Sequence, residues 1–302
     1  MKKIKIILII ISITFISCSK ENQILVPEAT DPFSEFEAGI IRWDKIIGKI
    51  AYKKYNANKE ITTLFLADKT SRTVRNLGIC NLSNLKWNES GKQITGTEGN
   101  SLQAYDLNGN HSVLGFYNFK DYDWLPDGRI TYITSPGYVY IEFSKLIDER
   151  FNPKGIACSP DGKKIVVSNR DGDTTAQLIE IDIATGDKRI LITESDDSLG
   201  QIVYLDPVYS PDSKKVLFVR FHDVYIGWKS YTLYITPNIS LDSGGRNPDW
   251  SPDGEGVISS SVHHCLFGCD DSDSYSEIYI TTVNENNREV AIPRGSNPLW
   301  IE

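Results

Sequence analysis

The chain has 302 residues, 40% hydrophobic and 11% aromatic, with 13 Pro, 22 Gly, and 32 Lys plus Arg against 40 Asp plus Glu for a net charge of −8. Such a composition fills a large core and excludes a disordered or collagen-like chain. Its acidic balance repels phosphate backbones and no Lys/Arg cluster opposes it locally, which excludes nucleic acid as a partner.

Residues 1–5 are basic through Lys2, Lys3 and Lys5, and residues 6–16 form a run of 11 without charge that ends at Ser17-Cys18. Eleven residues are too few for a hydrocarbon core that needs about 20. Residues 1–17 therefore read as a signal peptide. Ser17 before Cys18 resembles a bacterial lipobox, which implies cleavage before Cys18 and acylation of that residue; an ordinary cleavage site is the competing reading. Removal of 1–17 leaves 29 basic against 40 acidic residues, or −11. Buried acyl chains contribute about 0.8 kcal/mol per CH₂, so several of them anchor the chain stably. Residues 18–38 then form a polar tether, and Ser19-Lys20-Glu21 resembles the short signals that carry some lipoproteins to the cell exterior.

From residue 39 to 302 the chain repeats. Trp124-Leu125-Pro126-Asp127-Gly128, Cys158-Ser159-Pro160-Asp161-Gly162, Tyr209-Ser210-Pro211-Asp212-Ser213 and Trp250-Ser251-Pro252-Asp253-Gly254 share one pattern, and Trp87-Asn88-Glu89-Ser90-Gly91 is a degraded copy. Pro presets the first corner of a tight turn, Asp bonds its own backbone, and Gly takes the left-handed position that closes it. A strand-like run follows each copy. Trp43-Asp44-Lys45 reads as a further copy, and Asn297-Pro298-Leu299-Trp300 echoes Asn247-Pro248-Asp249-Trp250. Anchors at 43, 87, 124, 158, 209, 250 and 300 are spaced by 34 to 51 residues. A period of about 40 to 50 is that of a four-stranded propeller blade. The expected fold is all-β, a six-bladed β-propeller of four-stranded antiparallel blades, with Trp300 bringing the C-terminus beside the first blade.

The Trp-Ser-Pro-Asp-Gly signature at this period resembles the TolB-like propeller family over residues 40–302. The resemblance implies the fold and leaves function open, because the same repeats occur in periplasmic and surface lipoproteins and beneath peptidase domains. Neither the α/β domain of TolB nor the Gly-x-Ser-x-Gly elbow of the peptidases has a counterpart in this sequence.

The Pro-Asp-Gly turns all belong to one face of the ring, here the first face, and read as structural. Excess length falls on the opposite, second face, in residues 194–206, 221–230 and 263–275. Three long loops on adjacent blades are expected to form a binding rim. Phe221, His222, Asp223, Tyr225 and Trp228 there offer aromatic surface beside a carboxylate, suited to a sugar ring or a peptide side chain; the alternative is packing of the loop onto the propeller. His263, His264, Asp270 and Asp271 complete the candidate binding set. Cys265 and Cys269 read as a small disulfide outside the cytoplasm, with zinc held by His and Cys or free thiols as alternatives. Calcium at Asp270, Asp271 and Asp273, or at Asp171 and Asp173, competes with solvated loop acids. Cys80 and Cys158 read as buried singletons.

No catalytic residue and no cofactor is expected. The functional reading is a non-catalytic scaffold, lipid-anchored at the cell envelope on the outer membrane, that binds a protein or glycan. A glycan-processing enzyme, a lyase or hydrolase with its site in the rim, is the alternative, because three of the four histidines (His222, His263 and His264, but not His111) map there.

Overall fold

In the computed structural model, residues 41–301 are described apart from 57–58, 89–91, 117, 148–149, 173, 226–228, 242–243, 264–274 and 286. The signal peptide, Cys18 and the tether lie outside the described residues.

Twenty-four strands among them form six four-stranded antiparallel sheets. The first blade holds β1 (Lys49–Asn56), β2 (Ile61–Asp68) and β3 (Thr73–Ile79); the second holds β4 (Ser83–Trp87), β5 (Gln93–Glu98), β6 (Ser101–Asp106) and β7 (His111–Phe116). The third is small, with β8 (Phe119–Trp124) and β9 (Ile130–Thr134) followed by β10 (Val139–Ile141) and β11 (Ser144–Lys145). Blade four contains β12 (Pro153–Cys158), β13 (Lys164–Asp171), β14 (Thr175–Asp182) and β15 (Lys188–Ser195). Blade five contains β16 (Gly200–Tyr209), β17 (Val216–Val224), β18 (Lys229–Ile235) and β19 (Ile239–Leu241), and blade six β20 (Arg246–Trp250), β21 (Gly256–His263), β22 (Tyr275–Thr282) and β23 (Asn287–Ile292). The last strand, β24 (Ser296–Ile301), pairs with β1 in the register Ile50↔Trp300 and becomes the innermost strand of blade one.

That pairing closes the ring and removes an open edge, as the sequence predicts for Trp300. It also corrects the placing of Trp43. Residues 43–45 form a turn before β1, so Trp43 ends no inner strand and instead packs beside Trp300 in the core shared by blades one and six. The inner position of blade one is already filled by β24, which leaves no edge of β1 for a strand ending at Trp43.

Middle strands such as β13 are buried almost throughout because each blade is covered on both faces by its neighbours, so they read as continuous apolar runs. The anchors at the ends of inner strands wedge between blades. Trp124 Nε1 donates to Thr95 Oγ1 (2.9 Å), Tyr209 Oη to Glu180 Oε2 (3.2 Å) and Trp250 Nε1 to the Val208 carbonyl (3.3 Å), each on the preceding blade. A buried ring that keeps its polar atom bonded suits such a position. Cys158, the one small anchor, is buried and free, as is Cys80.

The Ser-Pro-Asp-Gly turns share one geometry. Buried Ser159 donates to Asp161 Oδ1 (2.7 Å) and accepts the Lys164 N–H (2.9 Å), while the Gly162 N–H closes the turn on the Ser159 carbonyl (2.9 Å). Ser210 and Ser251 repeat the arrangement with Asp212 and Asp253. The closing residue is left-handed in every case, at φ +69° for Gly162, +73° for Gly254 and +60° for Ser213, where a side chain is tolerated at some cost.

The expected long loops of blades four and five are mostly strand. β16 begins at Gly200 and pairs with β17 as far as Gly200↔Val224, leaving 196–199 and 225–228 as the connections. Backbone groups of so long a connection are satisfied by extending the hairpin. Blade five therefore rises on the second face as a tall ribbon. In blade six, β21 and β22 pair up to His263↔Tyr275.

Candidate functional site

The inner strands follow one another around the ring in the order β4, β8, β12, β16, β20 and β24, each next to its neighbours. Most carry a bulge three residues before the anchor. Asn84, Asp206, Asn247 and Asn297 sit there with φ between +47° and +51°, a left-handed conformation that Asn and Asp tolerate best. The sequence signal is Asn/Asp-x-x-aromatic in 84–87, 206–209, 247–250 and 297–300, of which only the last two copies, both Asn-Pro-x-Trp, stand out as an echo of one another.

Carboxylates from these strands reach across to the free N–H groups of the next blade. Asp121 Oδ2 accepts from Ile156 N (2.9 Å), Asp123 Oδ2 from Cys158 N (2.8 Å), Asp206 Oδ2 from Asn247 N (3.3 Å) and Asp249 Oδ2 from Trp300 N (2.7 Å). They act as staples between blades. Lys86 of β4 stands among them: burial opposes its charge, and Asp123, Asp121, Asp249 and Asp206 overcome that opposition and hold the ammonium above the ordinary lysine range. Burial in turn pushes Asp121 up to about 6 and Asp249 up to about 7, and raises Asp206, against the pull of Lys86 and of the N–H donors. Lys86 thus shares one electrostatic field with the carboxylates of three other strands of the inner wall, Asp121, Asp123, Asp206 and Asp249.

A second network lies on the second face between blades four and five. Arg220 holds Glu194 through two bonds (2.6 and 2.9 Å), and Tyr204 donates to the same carboxylate (3.2 Å). Buried Arg170 clamps Asp196 in the same forked way (3.1 and 2.9 Å), and Asp196 also accepts the Ile202 N–H (2.8 Å). These guanidinium bonds hold Glu194 and Asp196 below the usual carboxylate range. His222 Nε2 lies 3.2 Å from Asp197 Oδ1, which accepts the N–H groups of Leu199 and Gly200 (2.8 and 2.9 Å).

The predicted rim residues divide. Phe221, His222 and Asp223 are strand residues of β17, half-buried, with Phe221 packed 4.8 Å from the ring of its cross-strand partner Tyr231. Arg246 also stacks over the Tyr231 ring, 4.0 Å from its centroid. Tyr225, at the tip, is 74% exposed. Trp228, His264, Cys265, Cys269, Asp270 and Asp271 lie outside the described residues, and His263 is placed as the last residue of β21. Among the described residues, no group of three or more His, Cys, Asp or Glu side chains is arranged to hold a metal.

Two open grooves flank blade four. One, of about 770 Å³, starts on the second face beside Lys120 and Arg150 and descends between blades three and four to Ile179 and Ile190. The other, of about 750 Å³, runs between the outer strand β15 and blade five, past Tyr204 and Tyr234. Sequence reasoning missed both, although the 34-residue spacing between Trp124 and Cys158 marks the short blade that opens the first.

Six closed four-stranded blades around such a channel define a six-bladed β-propeller. Its fold is similar to TolB from Acinetobacter baumannii, with 18% identity, a TM-score of 0.61, and coverage of 85% of this chain and 67% of that one. A chain of a nidogen/laminin complex is similar at 11% identity and a TM-score of 0.54, covering 83% of this chain and 98% of that one. Oligogalacturonate lyase from Vibrio parahaemolyticus superposes with a TM-score of 0.44 at 10% identity, over 82% and 85% of the two chains. No protein-family model matches the sequence, and no curated protein is significantly similar to it. At these identities the likeness is one of fold.

Proposed function

We propose that this propeller is a non-catalytic binding scaffold of the cell envelope, tethered to the outer membrane through a lipidated Cys18, that presents its second face to a protein or glycan partner. One observation carries the reading. Asp121, Asp123, Asp206 and Asp249 of the inner strands and Glu194, Asp196 and Asp197 of the second face each hold a backbone N–H or a guanidinium, so their charges are used in assembly. What the same face leaves open is two grooves of drug-sized volume flanking blade four and an exposed tip at Tyr225. A TolB-like fold is consistent with an envelope location, and the charge-free run followed by Ser17-Cys18 supports the anchor.

Incubating the purified protein with envelope polysaccharides and peptidoglycan fragments tests the scaffold reading against the glycan-processing one. The scaffold leaves these polymers intact. New reducing ends or unsaturated sugars, lost in an Asp197→Asn or His222→Gln variant, would overturn it.

A further inference from the structure

We infer that the groove between blades three and four is a docking site for an acidic peptide segment of a partner protein, its carboxylates met by Lys120 and Arg150 and its aliphatic side chains by Ile179 and Ile190. The inference rests on the scaffold reading and narrows it to one partner class and one place on the ring.

The groove exists because blade three is truncated. β10 and β11 are three and two residues long, too short to cover the outer half of blade four, so Ile190 of β15 is left 54% exposed beside buried Ile179. An aliphatic floor of this kind, open on a wall between two packed blades, is where a partner's side chains gain most from leaving water.

Charge inverts locally. In a chain of net charge −8, the described ionisable residues along this groove are four cations and one anion, Asp171. Arg170 is neutralised by Asp196, and Lys188 stands at the far end of β15 with an interaction of its own, so the groove mouth rests on Lys120 and Arg150. Both are exposed. Arg150 bonds the Pro136 carbonyl through Nε and keeps its terminal N–H groups without a partner among the described residues. Lys120 is held below the ordinary lysine range by burial and then by the neighbouring Lys154 ammonium, with no carboxylate working in the other direction. Lys120 and Arg150 both line the groove, and neither is ion-paired among the described residues, which leaves a counter-ion to be supplied by a ligand.

The remaining donors favour a peptide over a sugar. Gln177 accepts from Asn169 Nδ2 (3.3 Å) through Oε1, which leaves its own amide hydrogens to meet a backbone carbonyl. Sugar rings are held by stacking on open aromatic faces. Among the described residues lining this groove the one aromatic side chain, Phe151, is buried at 5% exposure.

Fluorescence anisotropy with a labelled peptide of alternating glutamate and leucine tests the assignment on the full protein. Saturable binding is expected, weakened by about tenfold or more in the K120E/R150E variant and on raising salt from about 50 to about 500 mM. I190D should weaken it as well, and the same peptide with lysine in place of glutamate should not bind. All three positions are exposed enough that the fold tolerates the changes, which circular dichroism checks. No saturation at millimolar peptide, unchanged affinity in K120E/R150E, or preferential binding of oligogalacturonate would overturn the proposal. A photo-cross-linker placed in cells at Ile190 and at Tyr225 separates the two levels. Capture at Tyr225 alone refutes the groove and leaves the scaffold standing; polysaccharide turnover refutes the scaffold itself.

Discussion

Asp249→Asn isolates the electrostatics of the channel. Asp249 accepts the Trp300 N–H through Oδ2 (2.7 Å) and the Trp250 N–H through Oδ1 (2.9 Å), so it staples the C-terminal strand of blade one to blade six. Burial pushes its carboxyl from an ordinary value near 3.8 up to about 7. Between those values the folded chain keeps a proton that the unfolded chain has lost, so this group favours the fold at low pH and the benefit disappears as pH rises through 7. Over pH 5 to 8 the change amounts to about 2.5 kcal/mol. Asp121, raised to about 6, acts in the same direction. Carboxylates held low, such as Glu194 and Asp196, act the other way, and their contribution is lost only as pH falls below about 5, outside this window. Urea denaturation of the purified protein at pH 5, 6, 7 and 8 should therefore show stability falling with pH, and Asp249→Asn should remove about 2.5 kcal/mol of that fall while losing one hydrogen bond at every pH. An Asn variant with the same loss of stability between pH 5 and 8 as the parent would refute the reasoning.

The repeated turns and the ring closure give further tests. Ser159→Ala and Ser251→Ala each delete a buried hydroxyl that bonds a carboxylate and accepts an N–H, and each should cost about 2 kcal/mol by denaturant titration, additively because the turns belong to blades four and six, whereas the neighbouring turns of blades four and five touch through Ser213 Oγ and the Asp161 N–H. A stop codon in place of Ser296 removes β24, opens blade one at its inner edge and uncovers the core around Trp43; no cooperative thermal transition should remain, and a transition near the parental Tm would count against closure by this strand. Cys18→Ala should move the protein from membrane to soluble fractions, with unchanged membrane retention contradicting the anchor. Tyr225→Ala, at an exposed tip, should leave Tm within about a degree of the parent while reducing partner capture by cross-linking; a large fall in Tm would make Tyr225 a packing residue instead.

Much of this molecule was legible from its residues. Anchors spaced by 34 to 51 positions, three of them (124, 158 and 250) followed by a Pro-Asp-Gly turn and two more (87 and 209) by altered copies of it, specified six blades, because that turn chemistry acts over five residues. The singleton states of Cys80 and Cys158 followed from their surroundings in the same way. Two expectations failed for one reason. By sequence Trp43 reads as an inner-strand anchor and 221–230 as a loop, yet whether a segment is strand depends on the partner it finds. Residues 221–224 find 200–203, and the place expected of Trp43 is filled by a strand from the other end of the chain.

The candidate sites divide along the same line. Local sequence determined the turns, the period and the fold, since each is decided by neighbours a few positions apart. Tertiary structure alone decided that Lys86 stands among Asp121, Asp123, Asp206 and Asp249, residues up to 163 positions away, and that Lys120 and Arg150 frame a groove over Ile190. Electrostatic fields and cavities act through space across the ring, and only its closure brings those groups together.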